Sequence, residues 1–194
     1  MENEISANKK IFIVIPAYNE EKVIADVVLD IQNHGYENII IVDDGSQDNT
    51  YEKVRSIDGV VALKHKINRG KGAATTTGIE AAKVLGAEII VLMDGDGQHK
   101  SADIEKLITP IIEKETEIVL GCRPKEKNKM PLTRIVFNHI GNAVTWFLCG
   151  LSVKDSQSGF RAFSRNAVEI IKTKADRYEY ESDVIRQIYK NKLS

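Results

Sequence analysis

The stretch "EIIVLMDGDGQH", residues 88–99, runs an almost wholly apolar segment straight into two carboxylates, Asp94 and Asp96, spaced by one glycine and followed by Gln98 and His99. Like charges this close raise each other's pKa, so a chain that keeps both ionised ordinarily places a cation between them. The first expectation is therefore a metal ion. A second stretch, "IIIVDDGSQDNT", has the same design and carries Asp43 and Asp44. Each acidic cluster also fits the plainer task of capping a following helix.

Positioning these groups requires strands that end together. "IFIVIP" (11–16), "IIIVD" (39–43), "VVALK" (60–64) and "EIIVLMD" (88–94) are continuous apolar runs, as expected of strands buried on both faces. Between them, "EKVIADVVLDIQNHG" places Val23, Ile24, Val27, Val28 and Ile31 on one helical stripe, and "GKGAATTTGIEAAKVLG" reads as a second helix closing at Gly86. The pattern predicts an α/β fold of successive βαβ units, mostly parallel, with helices on both faces. The carboxyl ends of such strands line the ligand crevice, so Asp43, Asp44, Asp94 and Asp96 are expected to face one cleft. A helix over about 101–114, a strand over 117–121 and a longer apolar helix over about 132–149 follow.

The 194 residues read as one domain, 42% hydrophobic and 28% charged. Lys plus Arg (27) nearly balance Asp plus Glu (28), a formal charge of -1 that supplies no global field for nucleic acid. Cys122 and Cys149 form neither a disulfide framework nor a zinc site. The N-terminus lacks an apolar signal core, and no stretch reaches the roughly 18 apolar residues of a membrane span. The expected compartment is the cytoplasm or its membrane face.

Familiar motifs fail residue by residue. "HKINRGKG" is no P-loop, since His65 stands where the first glycine belongs and Gly72 where Ser or Thr belongs; Thr75 likewise spoils a G-x-G-x-x-G. "DGDGQHKSADIE" imitates a calcium loop but has His99 at the sixth position, where glycine is required. A receiver-type signalling module would carry its acid pair after the first strand, and a nucleotidyltransferase a glycine- and arginine-rich loop there. The first strand instead ends in "PAYNEEK".

Taken in order, "PAYNEE", "VDDGS", "NRGKGAA", "DGDGQH" and "DSQSGFRAF" resemble the family 2 inverting glycosyltransferases, and within them the dolichyl-phosphate mannose or glucose synthases and bacterial polyprenyl-phosphate glycosyltransferases. The likeness spans about residues 11–185. It implies the type A (GT-A) Rossmann-like fold and a nucleotide-sugar donor of the GDP-mannose or UDP-glucose type. Pro16, Ala17, Tyr18 and Glu20 would then wall the nucleotide pocket, and Asp43 would accept from the base, with Gly45 and Ser46 turning the chain around it. Arg69 and Lys71 would lie beside the donor phosphates. Asp94 and Asp96 would match the family's D-x-D, with Gln98 as a third metal ligand. Hard oxygen ligands favour Mg2+ or Mn2+ over zinc. Gly95 would be small because sugar and diphosphate approach the backbone there.

The same resemblance places Arg123 and Arg134 on a polyprenyl-phosphate acceptor, where guanidinium suits phosphate better than a hydroxyl. Lys125, Lys127 and Lys129 form a basic loop that suits lipid headgroups and equally suits an ordinary solvated surface. A phosphate acceptor is already anionic and needs no base. A sugar or protein hydroxyl would need one, with Asp155 the candidate and Glu181 a weaker one. Arg161 reads as structural. The chain stops at "YKNKLS", where such enzymes usually continue with another strand and often membrane helices, implying either a shortened catalytic domain or a short enzyme anchored by other means.

Overall fold

The computed structural model describes residues 10–121, 159–171 and 179–193. Arg123, Arg134 and Asp155, together with the helix expected over 132–149, lie outside the described residues.

Strand β1 (Ile11–Ala17) leads to helix α1 (Ile24–Asn33), β2 (Ile39–Asp43), the short α2 (Thr50–Arg55), β3 (Val60–Lys64) and α3 (Lys71–Val84). Next come β4 (Ile89–Leu92), one 3-10 turn (Ser101–Asp103) running into α4 (Ile104–Ile112), and β5 (Ile118–Leu120). After the undescribed stretch, β6 (Arg161–Ser164), α5 (Arg165–Ile170) and α6 (Glu179–Lys190) close the described chain. The sheet order is β3-β2-β1-β4-β6-β5, with β1, β2, β3 and β4 mutually parallel and β6 antiparallel to both β4 and β5.

Residue alternation explains why the strands are apolar throughout. Ile11, Ile13 and Ile15 of β1 pack with α1 and α4, whereas Phe12 and Val14 pack with α3, α5 and α6. Each fully buried aliphatic side chain contributes about 1.5–3 kcal/mol. Helix α3 buries small residues, among them Ala74, Gly78 and Ala82. A Cβ on Gly78 would stand 2.3 Å from Val14 Cγ1 and 3.3 Å from Val42 Cγ2, so the missing side chain is what lets this helix lie close on β1 and β2.

Two features were not legible in the chain. "RAFS" mixes Arg, Ala, Phe and Ser over only four residues, too short to read as a strand, yet it inserts antiparallel between β4 and β5. The run expected as a strand to Asp94 stays in the ladder only to Leu92; Met93 N–H still bonds Val14 C=O at 3.1 Å, and Asp94 then leaves the sheet. The connection from β3 returns past β2 and β1 to β4, so the strand order reverses beside β1, and a crevice opens above the ends of β1 and β4.

Candidate active site

The crevice is a cleft of about 510 Å³, in the size range of small-molecule sites. Pro16, Ala17, Tyr18 and Glu20 form one wall; Asp94, Gly95 and Asp96 form the next. Asn68, Gly70 and Lys71, from the loop before α3 and its first residue, form the third.

The first wall is braced by the turn after β2. Asn19 adopts left-handed backbone (φ 57°), and its N–H donates to Ser46 Oγ (2.9 Å) while its Oδ1 accepts from Gln47 N–H (2.9 Å). Glu20 N–H donates to Thr50 Oγ1 (2.8 Å) and Glu21 N–H to Asp48 Oδ2 (3.1 Å). Ser46 therefore serves the loop backbone. Glu21 and Asp48 were missed in the sequence because their partners lie about 28 residues away.

The expectation that Asp43, Asp44, Asp94 and Asp96 share the cleft is met by three of them. Asp43 is fully buried, on the strand face of Ile39 and Ile41, because side chains alternate along β2. Its Oδ1 accepts from Ser46 N–H (3.1 Å), and its Oδ2, without a hydrogen bond, lies 3.4 Å from Lys64 Nζ. It is not on the cleft wall. Asp44, only 3% exposed, spends both oxygens on the loop before α3. Arg69 joins that contact through its backbone N–H, and its exposed side chain is not on the wall.

The reading of Gly95 also needs correction. A Cβ there would point at Ile24 Cδ1 (3.2 Å) and Ile15 Cγ2 (3.3 Å), so the glycine lets the chain cross the core closely. A real side chain would press into the aliphatic layer beneath.

Asp94 sits at the deep end, 15% exposed, with Lys71 Nζ 2.7 Å from its Oδ1 and His99 Nε2 3.4 Å from its Oδ2. Lys71 also reaches Glu181 Oε1 at 3.2 Å, which brings α6 into the site. His99 is nearly buried and stacks on Phe160, with centroids 4.9 Å apart. Burial opposes ionisation of Asp94, but the His99 hydrogen bond and the Lys71 charge outweigh it and hold the carboxyl well below its ordinary range. Burial likewise opposes the Lys71 charge, and Asp94 and Glu181 reverse that, raising the ammonium above its usual value. Gly159 abuts this pair: a Cβ there would lie 2.3 Å from Asp94 Oδ1. Arg161, 2% exposed, donates from Nη1 to Glu181 C=O at 3.4 Å.

Asp96 is exposed, its Oδ1 accepting Gln98 N–H at 3.0 Å, and the Gln98 side chain is exposed as well. Burial, then the charges of Asp96 and Asp48, push the Glu20 carboxyl above its normal pKa. The cleft rim is thus a field of carboxylate oxygen that a divalent cation would relieve, and the donor set fits Mg2+ or Mn2+. Among the described residues, no three His, Cys, Asp or Glu gather into a ready cage. No helix among them is long and apolar enough to cross a membrane.

A family model described as glycosyl transferase family 2 matches residues 12–171. A UDP-N-acetylglucosamine–dolichyl-phosphate N-acetylglucosaminyltransferase from Methanococcus voltae is 46% identical, over 97% of this chain and 83% of its own. A mouse dolichyl-phosphate beta-glucosyltransferase is 31% identical over 84% of this chain and 57% of its own. In fold, the chain is similar to glucosyl-3-phosphoglycerate synthase from Mycobacterium tuberculosis, solved in complex with Mn2+, UDP-glucose and phosphoglyceric acid. The TM-score is 0.73 at 20% identity, over 97% of this chain and 68% of that one.

Proposed function

Since the chain belongs to glycosyl transferase family 2 and is a glycosyltransferase of GT-A fold, we propose that it moves a sugar from a nucleoside-diphosphate sugar to a polyprenyl phosphate of the dolichyl class, with inversion and with a divalent cation. The observation that carries this reading is the pairing of Asp94 and Asp96 at the strand-order reversal, facing Asn68, Gly70 and Lys71 across one cleft. The acceptor class follows from the relatives, which are named for dolichyl-phosphate transfer.

In this reading Tyr18 and Glu20 flank the nucleoside, and Asp96 and Asp94 supply oxygen ligands to Mg2+ or Mn2+, with Gln98 as a further ligand. A cation held by these residues would supply positive charge against the departing diphosphate, an effect worth several kcal/mol. Lys71 adds a fixed positive charge on the same side and keeps Asp94 ionised and aimed. An acceptor phosphate is anionic at neutral pH and attacks without a base; Arg123 and Arg134 would hold it. Lys125, Lys127 and Lys129 would keep the protein at the cytoplasmic membrane face.

The alternative hydroxyl acceptor would require Asp155 as base. Glu181, the weaker candidate, is engaged with Lys71 at 3.2 Å.

The test is transfer of label from UDP- and GDP-sugars to polyprenyl phosphate in the presence of Mn2+ or Mg2+. A lipid-linked product is expected, and Asp96→Asn should lower its rate at least 100-fold with an unchanged melting temperature, because Asp96 is exposed and bonds only within its own loop. Failure of every common donor to yield lipid product or free nucleoside diphosphate refutes the reading.

A further inference from the structure

Lys71 has two carboxylates where one would neutralise it. Its Nζ lies 2.7 Å from Asp94 Oδ1 and 3.2 Å from Glu181 Oε1, and both carboxylate side chains are 15% exposed. The second carboxylate leaves the trio net negative, which costs desolvation unless the surplus has a use.

Glu181 is not on the wall of the large cleft. It lines a separate cavity of about 10 Å³ together with Pro16, Lys71, Asp94, Gly159 and Arg161, room for about one water and far too little for a phosphate. Lys71 and Asp94 line both spaces, so whatever Glu181 does for a ligand in the cleft it does through them.

The fold imposes its position. In "YEYESDVIRQIYK" the apolar residues Tyr180, Val184 and Ile185 form the buried stripe of α6, each at most 5% exposed, and Glu181 stands beside that stripe. Arg161 Nη1 donates to Glu181 C=O at 3.4 Å, and Arg161 pairs across the sheet with Leu92, the last residue of β4 and two before Asp94. The helix carrying Glu181 and the turn carrying Asp94 are thus fixed to the same strand end.

We infer that Glu181 is a positioning residue of the donor site: as a second carboxylate on Lys71 it shares the ammonium, so that Asp94 is not wholly spent on an internal ion pair and keeps oxygen for a divalent cation. The role rests on the donor-site reading above. Asp94 is already drawn on by Lys71 and by His99 at 3.4 Å, and Glu181 is the other carboxylate within 4 Å of Lys71 among the described residues. Burial disfavours the ammonium, and the charges of Asp94 and then Glu181 reverse that.

Glu181→Gln keeps the length of the side chain and removes its charge, and a neutral amide oxygen is a weaker partner for an ammonium. The experiment measures the affinity of UDP and GDP, each with Mn2+, by calorimetry, together with melting temperature and the proton exchange of the Lys71 ammonium, read by NMR without nucleotide. Glu181→Gln should weaken binding about tenfold, an ordinary coupling within one ion-pair network, and speed ammonium exchange. Glu181→Asp, which keeps the charge on a shorter stem, should fall between it and the wild type in both. Asp183→Asn is the control: it removes a carboxylate of the same helix whose partner is Arg186 at 2.6 Å, and it should leave both readouts at the wild-type value.

Wild-type affinity in folded Glu181→Gln overturns the inference. So does unchanged exchange of the Lys71 ammonium, or an equal loss of affinity in Asp183→Asn, which would mean that any negative charge on α6 serves. If Glu181→Gln does not fold, Glu181→Asp is judged by the same three results. If the wild type binds neither nucleotide, the donor-site reading falls, and ammonium exchange then decides the hold on Lys71 alone, with unchanged rates overturning it and faster rates supporting it.

Discussion

Gly159→Ala places a methyl group against the most constrained carboxylate of the site. The added Cβ would stand 2.3 Å from Asp94 Oδ1, 2.6 Å from Oδ2 and 2.7 Å from Cγ, where real Cβ contacts essentially never fall below 3 Å. Turning the carboxylate about its own Cβ–Cγ bond leaves Cγ at 2.7 Å, so either the Asp94 side chain must leave its present position or the 159–160 backbone must shift. Asp94 cannot retreat without lengthening its 2.7 Å contact with Lys71 or its 3.4 Å contact with His99. Overpacking of this kind costs about 1–3 kcal/mol, a fall in Tm of about 2–10 °C for a chain of this size. A misplacement near 1 Å of a group that orients the reaction costs about 100-fold in rate.

The assay is kcat/KM for sugar transfer with Mn2+ present, and Gly35→Ala is the control. Gly35 has positive φ (+83°) and nothing within 4 Å of an added Cβ, so the control variant loses stability through backbone strain, of about 1 kcal/mol, far from the cleft. Gly159→Ala should lose about 100-fold in kcat/KM while Gly35→Ala stays within about twofold of wild type. Activity of Gly159→Ala within about threefold of wild type would mean that Asp94 tolerates displacement, and the geometric argument for its role would fail.

Gly78→Ala drives a methyl to 2.3 Å from Val14 Cγ1 in the layer between α3 and the sheet, and should lower Tm by about 2–10 °C in a thermal melt. Its nucleotide affinity, read by calorimetry, should remain at the wild-type value because the contact is remote from the cleft. Lys71→Met leaves Asp94 without its closest cation. The folded-state pKa of Asp94 is depressed, so the ion pair stabilises fully above the ordinary carboxyl value of 3.8 and its contribution is lost as pH falls through the lowered folded value. Wild-type and Lys71→Met melting temperatures should therefore differ most near pH 7 and converge as pH is lowered below 4; a gap independent of pH would contradict the pairing.

Local pattern carried most of the donor half of the site. The apolar runs ending in "DDGS" and "DGDG" marked β2 and β4, and buried strands need that unbroken hydrophobicity because both faces are covered. Parallel pairing followed from the helices between them, and the cleft from the ends of β1 and β4. Direction was not written there. Whether Asp43 or Asp44 reached the cleft depended on side-chain alternation at the end of β2, and the missing Cβ of Gly95 faces Ile15 and Ile24 rather than a ligand.

The sequence by itself determined the strand and helix alphabet, the acidic strand ends and the family, because these follow from periodicity and from residues contiguous in the chain. Only tertiary structure decided that β6 lies antiparallel between β4 and β5, that Gly159 presses on Asp94, and that Lys71 joins Asp94 to Glu181. Those contacts join segments separated by more than twenty residues and, for Gly159 and Glu181, by more than sixty. Such pairings leave no local spacing to read, since they are selected by packing and charge once the sheet has brought the segments together.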